Sequence, residues 1–341
     1  MNLDWIFASR YILVKLELII RLVKAVIILD GNYIDIYLKF TRIGVLSMNH
    51  PAKIEIPQEA FDWYDEYAHG GMDRRTFLGK LAVAGLTMAA VSGALLPDYA
   101  LAEQVSFNDE DLTASYATFE SPEGLGEGRG YLVVPKNLEG KAPVVLVVHE
   151  NRGLNPYVKD VARRLAKDGF IAFAPDILHT LGGYPGNDDE GRAMQKTLDK
   201  AKVEADFKAA AKFLKGHELS SGKLGVVGFC FGGYVSNMLA ASLPDVVDAA
   251  VPFYGTPPKA DLIANIKSPM MIQLGELDKR VNATWPDYEK ALKANKVDYQ
   301  AFIYEGANHG FHNDSTGRYD EKNAELAWSR TIEHFKKHLS A

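Results

Sequence analysis

The chain of 341 residues has a single cysteine, which excludes an intramolecular disulfide framework and any metal site built only from thiolates. It also lacks an excess of basic residues: 38 Lys and Arg against 44 Asp and Glu give a formal charge of -6. That sign is wrong for a surface that neutralises phosphates, so no nucleic-acid partner is expected. Long uninterrupted apolar runs are scarce. Ile12 to Leu29 is rich in Ile, Leu and Val, but Lys15, Glu17, Arg21 and Lys24 break it every few residues, so it does not read as a clean membrane span. The rest of the composition is ordinary: 47% hydrophobic and 24% charged residues exclude a disordered polyampholyte and a multi-span membrane protein.

The front of the chain differs from the remainder. Within residues 73–102, Asp73-Arg74-Arg75-Thr76-Phe77-Leu78-Gly79-Lys80 supplies paired arginines, Leu81 to Pro97 carries no charge, and Ala100-Leu101-Ala102 offers the small residues a signal peptidase reads. Basic, then apolar, then small is the order of an export signal, and the arginine pair resembles a twin-arginine signal. This predicts an exported, periplasmic protein that uses twin-arginine export machinery and has no stable membrane span in its mature chain. An uncleaved signal anchor and a buried Ala/Gly-rich helix are the alternatives. Residues 1–72 then form an N-terminal extension. Within it, residues 1–47 read as an over-long start ahead of Met48, and residues 51–71, with Trp63, Tyr64 and Tyr67 among acids, as a leader of unassigned purpose.

Residues 103–341 read as one α/β domain with a mainly parallel sheet covered by helices on both faces. Gly130 to Val134, Val144 to Val148, Phe170 to Ala174, Leu224 to Gly228, Val247 to Tyr254, Met270 to Leu274 and Gln300 to Tyr304 are apolar runs of strand length. Between them, helical spacing marks Tyr157 to Lys167, Ala193 to Leu214, Tyr234 to Leu243, Tyr288 to Ala294 and Ala324 to Leu339. Ligands of such sheets bind beyond the carboxyl ends of the strands, so the residues that follow each strand are the ones to examine.

One strand leads straight into Gly228-Phe229-Cys230-Phe231-Gly232-Gly233 and a helix. This is the G-x-S-x-G elbow with Cys for Ser: a tight turn whose flanking positions must lack side chains. The helix that follows aims its amides and positive dipole end at the sulfur. A buried apolar Cys is the alternative. A thiol nucleophile needs a base and a group to orient that base. His309, in Gly306-Ala307-Asn308-His309-Gly310-Phe311, and Asp278, in Gly275-Glu276-Leu277-Asp278, each follow a strand, and the order nucleophile, acid, histidine is that of α/β-hydrolases. His149-Glu150-Asn151-Arg152-Gly153 ends another strand, where the second oxyanion amide, from Asn151, would join that of Phe231. No second His lies four residues from His149, so no zinc motif is read there. Neither a metal-ligand spacing nor a dinucleotide-binding glycine loop is present, so no metal and no cofactor are expected.

With these residues in view, the sequence from about Ser115 to Ser340 resembles the dienelactone hydrolase, or carboxymethylenebutenolidase-like, family of the α/β-hydrolase fold. The resemblance implies that Cys230 attacks an ester or lactone carbonyl of a small molecule, that His309 handles the proton, and that Asp278 holds the imidazole. It implies that Glu150 contacts the thiol and regulates it. Lactone-cleaving members hold the substrate carboxylate with arginines, one of them four residues beyond the catalytic His. That position is Asn313 here, which leaves Arg152, Arg192 or Arg318 to substitute. A non-hydrolytic binding or thiol-redox protein on the same scaffold is the competing expectation.

Overall fold

In a computed structural model, the described residues are 56–86, 98–99 and 102–340, together with two short strands near the N-terminus. Compact units comprise Met1–Ile54 and Glu55–Ala341. In the first, Leu29–Asp30 pairs antiparallel with Tyr33–Ile34. The remainder of residues 1–47, and with it the expectation of an over-long start, lies outside the described residues.

An eight-stranded sheet organises the second unit. Its strands are β1 (Leu112–Ser121), β2 (Gly126–Pro135), β3 (Ala142–Val148), β4 (Ile171–Pro175), β5 (Ser220–Phe229), β6 (Ala249–Phe253), β7 (Met270–Gly275) and β8 (Tyr299–Tyr304). Their spatial order is β8-β7-β6-β5-β3-β4-β2-β1, with β3 to β8 parallel and β2 antiparallel to both its neighbours. This is the expected α/β-hydrolase architecture. The central strand β3 is buried at nearly every position, which is why it reads as an unbroken Val/Leu run. Burial of each such side chain contributes roughly 1.5–3 kcal/mol.

Helices α3 (Pro156–Lys167), α4 (Asp188–Gln195), α5 (Lys200–Lys215), α6 (Phe231–Ser242), α7 (Lys279–Asn282), α8 (Trp285–Ala294) and α9 (Glu321–Leu339) follow in the chain and cover the two faces. The single helix expected over Ala193 to Leu214 is two. Asp199 accepts a hydrogen bond from Lys202 N at 3.0 Å and starts α5 afresh, because a capping carboxylate at that spacing satisfies an orphan amide better than a continued helix would.

Ahead of the sheet lie the first two helices, α1 (Gln58–Ala68) and α2 (Arg74–Val83), which pack together and are called αA and αB. Tyr64, Phe77 and Leu81 form their small core, with the Tyr67 and Phe77 rings stacked at 5.1 Å. Asp73 caps αB by accepting from Thr76 N at 3.0 Å. The segment read as an export signal is therefore helical over its arginine-bearing part, while residues 87–97 lie outside the described residues. Among the described residues no helix is long and apolar enough to cross a membrane.

Candidate active site

Cys230 occupies the bend between β5 and α6 with φ 58 and ψ -111, a left-handed conformation that costs a non-glycine residue about 1–3 kcal/mol. The glycines around it explain how the bend is held. A Cβ on Gly228 would overlap the Gly232 carbonyl, and one on Gly232 would overlap the Val148 carbonyl, so helix and strands approach as closely as backbone permits. Cys230 N donates to Phe253 O at 3.1 Å, which ties the elbow to β6.

His309 and Asp278 arrive from the turns after β8 and β7. The Asp278 carboxylate caps α7 through Val281 N at 3.0 Å and accepts from His309 Nδ1 at 2.6 Å, so His309 Nε2 is the ring atom left to act. That nitrogen is buried without a hydrogen-bond partner. The structure thus brings Cys230, Asp278 and His309 to one edge of the sheet.

It also adds residues that sequence reasoning did not select. His69, at the C-cap of αA, turns Nε2 to Cys230 Sγ at 3.0 Å, and its Nδ1 lies 2.8 Å from the Asp65 carbonyl and 3.2 Å from the Asp65 carboxylate. Asp65 also stands 3.8 Å from His309 Nε2 and accepts from Arg280 Nε at 2.9 Å. A histidine and an aspartate four apart on one helix, at 65 and 69, were the available signal. It was hidden because the segment read as a leader. Sγ and one ring nitrogen each of His69 and His309 lie within 4.8 Å of one another, a donor set suited to a soft metal. However, the Arg280 guanidinium lies 3.0 Å from His69 Nε2, and a fixed positive charge there opposes a divalent cation.

Charges follow from this crowding. Burial would raise the Cys230 thiol, but His69 and His309 outweigh it and hold it well below the usual thiol range. Burial pulls the His309 imidazole down, yet Asp65, Asp278 and the thiolate carry it to about 10. His69 is moved upward in the same way, by the thiolate and Asp65 against burial. Burial would likewise raise the Asp65 carboxyl, but His309, His69 and Arg280 push it well below the usual carboxylate range.

The thiol opens on a cavity of about 490 Å³ that Phe231, Asn151 and His69 also line. Arg192, Lys196, Lys200 and Arg280 stand around the same space, and its described lining contains no carboxylate. A second cavity of about 420 Å³, on the side of His309, is lined by Asp65, Asp278, Arg280 and Arg318 among others.

Other expectations need correction. Glu150 is buried, but its carboxylate accepts from Asn313 Nδ2 at 2.8 Å and is not hydrogen-bonded to the thiol, which meets His69 Nε2 at 3.0 Å. Asn313 is fully buried, bound to Glu150 and Ser315, so it does not line the thiol cavity as a substrate contact would. Arg152 is likewise buried, with Nη1 on Asp188 Oδ2 at 2.6 Å. Of the arginines considered, Arg192 reaches the thiol cavity and Arg318 the neighbouring one. Asn313→Ala is therefore expected to act on stability rather than on substrate preference. It leaves the buried Glu150 carboxylate without its amide donor, at a cost of about 1–3 kcal/mol or more, measurable as a lowered Tm with selectivity unchanged.

The family model for dienelactone hydrolases matches residues 129–339. The chain belongs to the dienelactone hydrolase family. A relative from Escherichia coli K12, named "Putative hydrolase fragment YghX", is 59% identical over 114 residues, which is 33% of this chain and 97% of that one. A Bradyrhizobium protein named as a probable 2-oxo-3-(5-oxofuran-2-ylidene)propanoate lactonase is 33% identical over 230 residues, 63% of this chain and 91% of its own. Among solved structures, one titled as a putative dienelactone hydrolase from Klebsiella pneumoniae superposes with a TM-score of 0.57 at 27% identity, covering 66% of this chain and 99% of that one. Family and relatives make the chain a hydrolase of the lactone or ester type. αA and αB lie outside the dienelactone hydrolase match and within a second one, YqhI-like, over residues 48–85.

Proposed function

We propose that the protein hydrolyses small carboxylic esters or lactones through an acyl-enzyme on Cys230, with His309 and Asp278 completing a Cys-His-Asp triad. The observation that carries this reading is a lone thiol on a strained elbow, at a helix N-terminus, whose sulfur lies beside the imidazoles of half-buried His69 and buried His309 and opens on a cavity bordered by Phe231 and Asn151. Sγ attacks the carbonyl carbon, a C–S bond forms, and the carbonyl electron pair moves to oxygen. The amides of Phe231 and Asn151 are the donors for that oxyanion, each worth about 3 kcal/mol. Collapse breaks the C–O bond, and the departing alkoxide takes the proton of the imidazolium.

Acylation consumes the thiolate, one of the charges that hold His309 up near 10. The ring then gives up its proton more readily and, once neutral, can take one from water. The resulting hydroxide adds to the thioester, the C–S bond breaks, and the thiolate returns. In a lactone the alkoxide stays attached to the acyl group, so both product ends leave in the second step.

The cavity wall carries Arg192, Lys196, Lys200 and Arg280 and no carboxylate, although Asp189, Glu204 and Asp65 pair with three of these cations from behind it, and this lining favours an acid-bearing substrate. The Bradyrhizobium relative, named for a lactone carrying a propanoate, fits that chemistry. The test is to quench the enzyme during turnover of a slow aryl ester and weigh its peptides. The acyl mass is expected on the peptide that contains Cys230, labile to hydroxylamine. Turnover with an unmodified Cys230 at every quench time would end the proposal.

A further inference from the structure

We propose that His69, carried by αA outside the matched hydrolase domain, is a catalytic residue: its imidazole takes the Cys230 proton and holds the sulfur as a thiolate in the resting enzyme. This rests on the hydrolytic reading of the same site. The proton leaves Sγ for Nε2 at 3.0 Å and stays on that ring, the electron pair stays on sulfur, and the departing alkoxide takes its proton from His309. Asp65 orients the ring, because its carbonyl and carboxylate both face Nδ1 and turn Nε2 toward the thiol, where Arg280 Nη2 also approaches to 3.0 Å.

The thiol's neighbours point the same way. Glu150, the carboxylate that the family resemblance put on the sulfur, is held by Asn313 instead. His309 also comes within 4.8 Å of the sulfur but lines the second cavity with Asp65, whereas His69 lines the thiol's own cavity. αA forms one wall of that cavity and does not fill it, since about 490 Å³ stays open beside the sulfur, Phe231 and Asn151. The helix is also bound in place from several directions. Asp62 meets Lys279 at 2.6 Å, Asp65 meets Arg280 at 2.9 Å, and the Ala68 carbonyl accepts from Asn151 Nδ2 at 2.8 Å. Of these, the partly buried Asp65–Arg280 pair does more to fix His69 than the exposed Asp62–Lys279 pair.

The charged and titratable groups around Cys230 and His69 are Asp65, Arg280, His309 with Asp278, Tyr254, and Arg192, Lys196 and Lys200 across the cavity. Asp65 and the thiolate favour an imidazolium at 69, and Arg280 opposes it. Because the folded thiol is depressed, thiolate persists at neutral pH and is lost only as pH falls through the folded value. Removing His69 should move that loss to higher pH.

The experiment measures the rate of iodoacetamide alkylation against pH for the full chain and for His69→Gln and His69→Ala. The midpoint is expected to rise by about 1–3 pH units, since a paired cation within hydrogen-bond distance is lost. Turnover of an aryl ester should fall by about 10²-fold, and added imidazole should restore part of it to His69→Ala. Should His69→Ala fail to fold, His69→Gln and Asp65→Asn, which keep side-chain size, carry the measurement. An unmoved midpoint in the folded variants overturns the role of His69. A moved midpoint without any acyl-enzyme on Cys230 supports the thiol–imidazole pair and strikes the hydrolytic reading alone.

Discussion

Cys230→Ala is expected to yield a folded protein whose ester hydrolysis is lost, by a factor on the order of 10⁶ in kcat, the scale on which triad nucleophiles fail when removed. The fold should tolerate the change. Ala is smaller than Cys, and the strained backbone at φ 58 is imposed by the close approach of Gly228, Gly232 and Val148 rather than by sulfur. What changes is electrostatic. His69, His309 and Arg280 lose the anion they share, so both rings drop toward the neutral form and no nucleophile is left beside Phe231 and Asn151. Residual catalysis of about 10³–10⁴ over water can persist from oxyanion donors and binding alone. Cys230→Ser should recover little, because an alkoxide is far harder to form than a thiolate at the same site. Steady-state kinetics on an aryl ester, with a thermal melt to confirm folding, decide the matter. A folded Cys230→Ala variant with wild-type kcat removes the thiol from the mechanism.

The hydrolase sheet was legible wherever burial is two-sided. Val144 to Val148 and Leu224 to Gly228 read as strands because helices cover both faces and every position must be apolar. β1 went unread for the opposite reason: as an edge strand it is mostly exposed, so Leu112–Ser121 has no apolar run or clean alternation to detect. Cys230, Asp278 and His309 were legible because each follows a strand that the sheet aligns at one edge. The αA contribution was not. His69 and Asp65 gain meaning only through a contact 161 residues away in the chain, and the aromatics around them, Trp63, Tyr64 and Tyr67, read equally well as part of a leader. Glu150 and Asn313 illustrate a related blind spot. Each was assigned singly toward the active site, whereas burial joined them to one another, because a buried carboxylate must find a donor and the nearest amide satisfied it. Export remains a proposal that rests on Arg74, Arg75 and the uncharged run to Pro97. Cleavage after Ala102 would remove His69, so the mass of the active protein bears on both ideas.

Asp278→Asn separates the tasks of the two imidazoles. In the parent enzyme the carboxylate receives His309 Nδ1–H at 2.6 Å, which leaves Nε2 able to accept a proton. An amide at 278 can still cap α7 through its oxygen, so stability should change little. Its NH₂ group, however, would face Nδ1 as a donor. The ring then carries its proton on Nε2, with nothing to accept a proton from water. Loss of the carboxylate also removes one of the charges that raise His309 to about 10, so less imidazolium forms beside the sulfur. Turnover is expected to fall by about 10⁴-fold, with KM near its original value because the cavity cations are untouched. Alkylation of Cys230 at neutral pH should fall far less, since His69 still pairs with the sulfur at 3.0 Å. Equal losses in both assays would mean that the thiolate depends on His309 alone. A large loss in turnover with a small loss in alkylation assigns the resting thiolate to His69 and the attack of water to His309.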